Sequence, residues 1–190
     1  MKSLLIAGLM MAAAASSIAQ DLGYKGAPFG ATKDEFLARH PGLKCSDPGP
    51  RMRVLGDEVC EPELTSANLA NLPAFGTYAG QPIRRPSFGL VDGKFARFGA
   101  TFAPGQYEAI RDAMAAGIGQ GTETTRTFQT RGGASVLSRS FTIKRPDGVV
   151  NLLEHAGSLN EGAVAGRSTD YDTFQRRLEQ DATKAGSKDL

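Results

Sequence analysis

The chain has 190 residues, with 22 basic and 20 acidic side chains and a formal net charge of +2. This near balance argues against the strongly basic surface of a nucleic-acid-binding protein. The whole sequence contains only two histidines and two cysteines. Few side chains are therefore available for zinc or nucleophile chemistry.

An export signal is predicted at residues 1–19. Lys2 precedes an apolar run, and the small residues Ser17 and Ala19 stand just before Gln20. This order is typical of a cleaved secretory signal peptide, and the run is shorter than the roughly twenty residues that cross a bilayer. We expect a periplasmic protein without a membrane span, with one domain over residues 20–182 and a polar tail over 183–190. A buried N-terminal helix of a cytosolic protein is the alternative.

A short helix is predicted from Lys33 to about Arg39. Thr32 and Glu35 have the spacing of a capping box, in which each side chain bonds the backbone amide of the other residue. Pro41 and Gly42 should end this helix.

Cys45 and Cys60 are expected to form a disulfide, because an even cysteine count in an exported chain favours a structural bridge. The bridge would close an irregular loop and stabilise the fold by about 3 kcal/mol. A redox pair is the alternative, but the spacing is not Cys-x-x-Cys.

Two hairpins and a helix are predicted after residue 85. Asp92-Gly93 is a strong hairpin signal between strands near 87–91 and 94–102. Pro104 should open a helix, since Tyr107, Ile110 and Met114 recur at helical spacing. The stretch from the disulfide loop to Pro82 has no clear assignment.

In the last third of the chain, further strands are predicted near 122–129, 136–144, 149–154 and 163–167, with a hairpin turn at Pro146-Asp147. A terminal helix should begin at Thr169, with Tyr171, Phe174 and Leu178 on one stripe. Helices that bracket antiparallel strands predict an α+β fold of two layers, an antiparallel β-sheet with helices packed on one face.

No catalytic residue, metal site or cofactor site is predicted. The sequence lacks the spacings of nucleophile elbows, zinc helices and calcium loops. His40 and His155 are interpreted as capping or surface residues. A hydrolase that uses His155 with the nearby acids Glu154, Glu161 and Glu108 is the alternative.

Arginine is the polar residue used most in the predicted strands. We predict that Arg97, Arg126, Arg139 and Arg145 contribute to a binding surface on the exposed sheet face, because arginine suits carboxylates and protein interfaces. An ordinary solvated face is the alternative.

Element order carries a resemblance over residues 24–155. It includes the helix after Pro28-Phe29-Gly30, the loop between the cysteines, the Phe88–Phe95 hairpin and the helix that begins at Pro104. The order resembles small exported proteobacterial proteins of unassigned function, and the architecture is similar to the BamE/SmpA and β-lactamase-inhibitor-protein group. The resemblance implies a non-enzymatic, protein-binding role.

The function predicted from the sequence is binding of another exported protein, for example as an inhibitor or immunity-type partner. The exposed sheet face or the disulfide loop would provide the contact surface. The alternatives are the small hydrolase and a small-ligand carrier, which would need a sizeable apolar pocket between sheet and helices.

Overall fold

The computed structural model describes residues 21–63, 76–130 and 133–186. The predicted export signal and much of the unassigned stretch before Pro82 lie outside these ranges. Among the described helices, none combines the length and apolar character needed to cross a membrane.

One antiparallel sheet of eight strands organises the described chain. The strands, in chain order, are β3 (Leu43–Ser46), β4 (Glu58–Pro62), β7 (Arg84–Val91), β8 (Lys94–Phe102), β9 (Thr122–Gln129), β10 (Ser135–Arg145), β11 (Gly148–Ser158) and β12 (Glu161–Ser168). Across the sheet their order is β3-β4-β7-β8-β12-β11-β10-β9. Two small separate hairpins pair β1 (Gly23–Tyr24) with β2 (Ala27–Pro28), and β5 (Thr77–Tyr78) with β6 (Gln81–Pro82).

Three helices accompany the strands in the described ranges. They are α1 (Lys33–Arg39), α2 (Tyr107–Gly117), which follows a 3₁₀ turn at Pro104–Gln106, and α3 (Thr169–Gly186). A single helical turn, Gly49–Met52, continues into a 3₁₀ turn at Arg53–Leu55. The terminal helix extends to Gly186, into the segment predicted as a polar tail.

Local sequence signals account for several of these elements. The predicted capping box of α1 is present, with the Thr32 hydroxyl accepting from the Glu35 amide and the Glu35 carboxylate accepting from the Thr32 amide. Asp92 and Gly93 both have positive φ, 50° and 70°, as the turn between β7 and β8 requires. The predicted α+β fold around an antiparallel sheet is confirmed.

The main core lies on one face of the sheet, beneath α1, α2 and the first small hairpin. Its largest fully buried side chains are aromatic or aliphatic: Tyr107, Phe36, Phe95, Phe98, Phe102, Leu22, Ile83, Leu90, Ile110, Met114, Ile143 and Leu152. Burial of this apolar area is the dominant stabilising term.

Helix α3 packs on the opposite face of the sheet. Phe174 forms a second buried cluster with Val91 and Ala96, whose chain neighbours Leu90 and Phe95 belong to the main core. Successive strand residues point to opposite faces, so the part of the sheet around β7 and β8 is covered on both sides. The expectation that all helices pack on one face is not confirmed. The apolar stripe of α3 was visible in the sequence, but a stripe does not specify which face it covers.

Glycines in β12 make room for aromatic rings of β8. Gly166 is the cross-strand partner of Phe98, and Gly162 is the partner of Phe102. A Cβ at Gly166 would lie 2.2 Å from Phe98 Cε1, and one at Gly162 would lie 2.4 Å from Phe102 Cε2. Both rings therefore lie flat over the neighbouring strand, where no side chain larger than hydrogen fits.

The predicted disulfide is present between Cys45 and Cys60. The two residues are cross-strand partners in β3 and β4, and Cys60 is fully buried in the main core. The bridge closes the loop that holds the Gly49–Met52 turn. The carbonyl of Val54 in this loop accepts hydrogen bonds from the Tyr171 hydroxyl and the Gln175 amide of α3.

Removal of the disulfide should destabilise the protein. We expect the Cys45→Ala/Cys60→Ala double variant to lose about 3 kcal/mol of unfolding free energy, because its unfolded chain is less constrained. Urea unfolding of oxidised wild type and of the double variant measures the difference. Equal urea midpoints for the two proteins would contradict the prediction.

Gly166→Ala should also destabilise the fold, by about 1–3 kcal/mol, because the added methyl group must displace the Phe98 ring. Gly105→Ala is the matched control, since a Cβ there meets no atom within 4 Å. Thermal unfolding should show a lower Tm for Gly166→Ala alone. Similar melting temperatures for both variants would contradict this prediction, because the sheet would then accommodate the methyl group without a loss of stability.

Candidate functional site

One end of the sheet is left open by the helices. Helix α3 crosses β12, β8 and β7, so no described helix covers the same sheet face over β9, β10 and β11. We call this uncovered area the open face. It consists of the following side chains: Thr124, Arg126, Phe128, Ser138, Ser140, Thr142, Asn151, Leu153 and His155.

Strand β9 is the edge of the sheet at this end. It pairs with β10 along its whole length, from Thr122 opposite Thr142 to Gln129 opposite Ser135, and among the described strands β10 is its one sheet neighbour. All eight of its residues are exposed. An edge strand carries outward N–H and C=O groups that a further strand can use.

Hydroxyl groups line the middle of the open face. Thr124 Oγ1 and Ser140 Oγ are 2.7 Å apart, and Thr142 Oγ1 donates to Asn151 Oδ1 over 2.8 Å. These cross-strand pairs hold short polar side chains close to the sheet. The open face is therefore flat there.

Apolar side chains lie toward the tip of the open face. Phe128 is 38% exposed and Leu153 is 39% exposed. The His155 ring meets Phe128 edge-on, with centroids 6.4 Å apart, and its buried Nδ1 has no hydrogen-bond partner among the described residues. The tip thus combines exposed apolar area with an aromatic pair.

The four predicted arginines do not share one surface. Arg126 lies on the open face, opposite Ser138. Arg97 lies under α3, with its guanidinium 5.7 Å from the Tyr171 ring, and burial lowers the pKa of this side chain. Arg139 and Arg145 are two and four residues from the buried Phe141 along β10. Residues at these spacings share one face of a strand, so both arginines point to the main-core face.

Arg139 connects helix α2 to the sheet through ion pairs. Its Nη2 and Nε atoms donate to the Glu154 carboxylate over 2.8 and 3.1 Å, while Nη1 donates to Glu108 Oε1 over 2.6 Å. The guanidinium also lies 4.7 Å from the Tyr107 ring centroid. Side-chain hydrogen bonds from Arg139 are the main cause that lowers the pKa of Glu154.

Arg145 contacts the same helix at its C-terminal end. Its Nη2 donates to the Ile118 carbonyl, just after the last residue of α2. An arginine at a helix C-terminus satisfies a free carbonyl and complements the helix dipole. Arg139 and Arg145 thus have structural partners within the fold.

The acids considered for a hydrolase are engaged in ion pairs. Glu154 and Glu108 bind Arg139, and Glu161 binds Arg85. Glu154 points to the main-core face, whereas His155 points to the open face. Within the described residues, no group of three potential metal-ligating side chains occurs.

A pair of matched turns, not predicted from the sequence, lies on the other side of the molecule. Residues 24–28 and 78–82 share the pattern Tyr-x-Gly-x-Pro. In both hairpins the two turn residues have positive φ: Lys25 and Gly26 at 45° and 78°, Ala79 and Gly80 at 51° and 77°. The two tyrosine rings stack with centroids 5.8 Å apart. The repeated five-residue pattern was the signal that would have found them.

No protein-family model, curated protein or solved structure matches this chain. The functional argument therefore depends on the geometry of the described residues.

Glu154→Gln should weaken the fold at neutral pH, by on the order of 1 kcal/mol. The lowered pKa means that the carboxylate stabilises the fold fully above its ordinary pKa of about 4.3, and that this stability is lost as the pH falls through the lowered value. Unfolding of wild type and variant should differ at pH 7 and converge toward pH 3.

The exposed Glu61→Gln is the control for this comparison. It should match wild type at both pH values. A stability gap between wild type and Glu154→Gln that does not change between pH 7 and pH 3 would contradict the ion-pair interpretation.

Proposed function

We propose that this protein is exported and acts as a binding protein, which recognises an extended segment of another exported protein at β9. The observation that carries the proposal is the edge strand itself, whose eight residues are all exposed. The partner segment would add a ninth strand to the sheet and lie beside the open face. The disulfide supports this function, as do the export signal predicted at residues 1–19 and the architectural resemblance inferred from element order.

Physical chemistry favours this mode of binding. Proteins commonly protect edge strands by shortening them, covering them or placing proline or inward-pointing charges there. Strand β9 has eight residues without proline and is rich in threonine, a residue that favours extended backbone. Its inward-pointing charge, Glu123 at the start of the strand, is paired with Arg111. Its backbone groups would supply affinity for an added strand, and alternate side chains would supply specificity.

The open face suggests the chemistry of the partner. Phe128 and Leu153 offer apolar contact toward the tip, and Arg126 is exposed at the centre of β9 with no ion-pair partner in the described chain. A suitable segment would be extended, with an acidic side chain near Arg126 and an apolar one near Phe128. Arginine and aromatic residues are the types enriched at protein interfaces.

A pair of proline variants tests the edge. Neighbouring amides on an edge strand alternate between facing β10 and facing solvent, so one of Thr124→Pro and Thr125→Pro should leave the sheet ladder intact. Thermal unfolding identifies the intact variant. We expect that variant to lose a partner that wild type captures from periplasmic extract, because its outward N–H group is gone.

Two apolar variants provide a matched control. Phe128→Ser should weaken capture of the same partner about tenfold, whereas Leu137→Ser should not. Leu137 is 64% exposed but lies on the main-core face, because it is four residues before Phe141 in the same strand. Undiminished capture by the stable proline variant would overturn the β9 proposal.

A further inference from the structure

A cavity of about 410 Å³ lies on the side of the molecule opposite the open face. Its walls come from the first small hairpin, from the matched turn at Tyr78-Ala79, from Arg39 of α1 and from the end of α2. No residue of the eight-stranded sheet lines it. Its volume is within the usual range of small-molecule sites, about 300–1,000 Å³.

Two cations line this cavity without an ion pair among the described residues, although Glu35, one turn before Arg39 on α1, attracts Arg39 electrostatically. Lys25 and Arg39 both line it, and neither takes part in any of the ion pairs of the described chain. Both positive charges also act on the neighbouring His40. Burial is the main cause that lowers the pKa of His40, and the charges of Lys25 and Arg39 lower it further. Asp21 is the one acid among the described lining residues, which leaves an excess of one positive charge.

A buried hydroxyl without a partner adjoins the same cavity. Tyr78 lines it and is 5% exposed, yet its hydroxyl has no hydrogen-bond partner among the described residues. Buried hydroxyls are almost always paired in folded proteins. The Tyr78 hydroxyl is therefore a candidate hydrogen-bond partner for a polar group bound in the cavity.

Lys25 is the first turn residue of the hairpin that borders the cavity. Its φ of 45° is a conformation that asparagine and glycine adopt with less strain. The ammonium lies 5.8 Å from the Tyr24 ring centroid.

We propose that this cavity binds a small organic carboxylate with a compact apolar body. Lys25 and Arg39 would hold the carboxylate, and the Tyr78 hydroxyl would pair with a polar atom of the ligand. Arginine suits the planar carboxylate because its guanidinium donates two parallel hydrogen bonds. Met114, Ala113 and Ile118 of the α2 end supply apolar contact for the body of the ligand.

Phenylacetate and 4-methylpentanoate are the probes, each compared with its neutral amide by calorimetric titration. The protein is purified after export, because the predicted cleavage after Ala19 would leave the chain's amino group one residue from Asp21. We expect saturable binding of at least one acid in the millimolar range or tighter. The matching amide should bind at least about tenfold more weakly.

Three variants separate recognition from folding. Lys25→Asn removes the charge and relieves the turn, so its Tm should be unchanged or higher while acid binding weakens about tenfold. Tyr78→Phe removes an unpaired hydroxyl, so its Tm should also be unchanged or higher while acid binding weakens. Arg39→Gln should weaken binding by a similar factor, whereas Arg176→Gln on α3, outside the cavity, should leave the acid affinity unchanged.

Several results would overturn this proposal. They are failure of both acids to bind, equal affinity for acid and amide, and unchanged affinity in a folded Lys25→Asn/Arg39→Gln double variant. None of these measurements involves β9. Loss of the carboxylate site therefore leaves the proposed strand-binding function untouched, and the reverse also holds.

Discussion

Strand β8 is buried from both sides, and the rest of the fold depends on that double burial. Phe95, Phe98 and Phe102 face the main core, whereas Ala96 supports Phe174 of helix α3. The register of β8 against β7 shifts between Gly89 and Leu90. A strand without this irregularity would keep strict alternation of its side chains. The irregularity lets Phe95 and Phe98, an odd and an even position, share one face.

The open end of the sheet follows from the dimensions of helix and sheet. A helix is about 10 Å across, and α3 with its 18 residues is about 27 Å long. Eight strands at about 4.8 Å spacing extend over roughly 34 Å. Helix α3 starts directly after β12, so it can cross β8 and β7 but cannot also cover β9 and β10. Exposure of β9 is thus a consequence of where the last helix begins.

Features set by neighbouring residues were predictable from the sequence, whereas features set by distant contacts were not. The capping box at Thr32, the Asp92-Gly93 turn and the disulfide each depend on local pattern or on cysteine count. Strand order and the face covered by α3 depend on contacts between distant segments. The four arginines lie on two faces for a third reason. Arg139 and Arg145 alternate in phase with Phe141 and Ile143, so the pattern of the hydrophobic residues in the sequence already indicated the core-facing side for them.

The two candidate sites depend on different kinds of order. Strand β9 is held by the hydrogen-bond ladder to β10, so its shape survives changes in side chains that do not break the ladder. The cavity is built from hairpins that pair only within themselves among the described strands. Its geometry depends instead on Tyr24, whose ring stacks on Tyr78 and packs against Phe88 at a centroid distance of 4.8 Å. Burial raises the pKa of Tyr24 to about 12, which keeps the ring neutral inside the core. The tyrosine stack therefore joins the cavity to the same aromatic core that β8 supplies, and loosening that core would disturb the cavity before it disturbed the open edge.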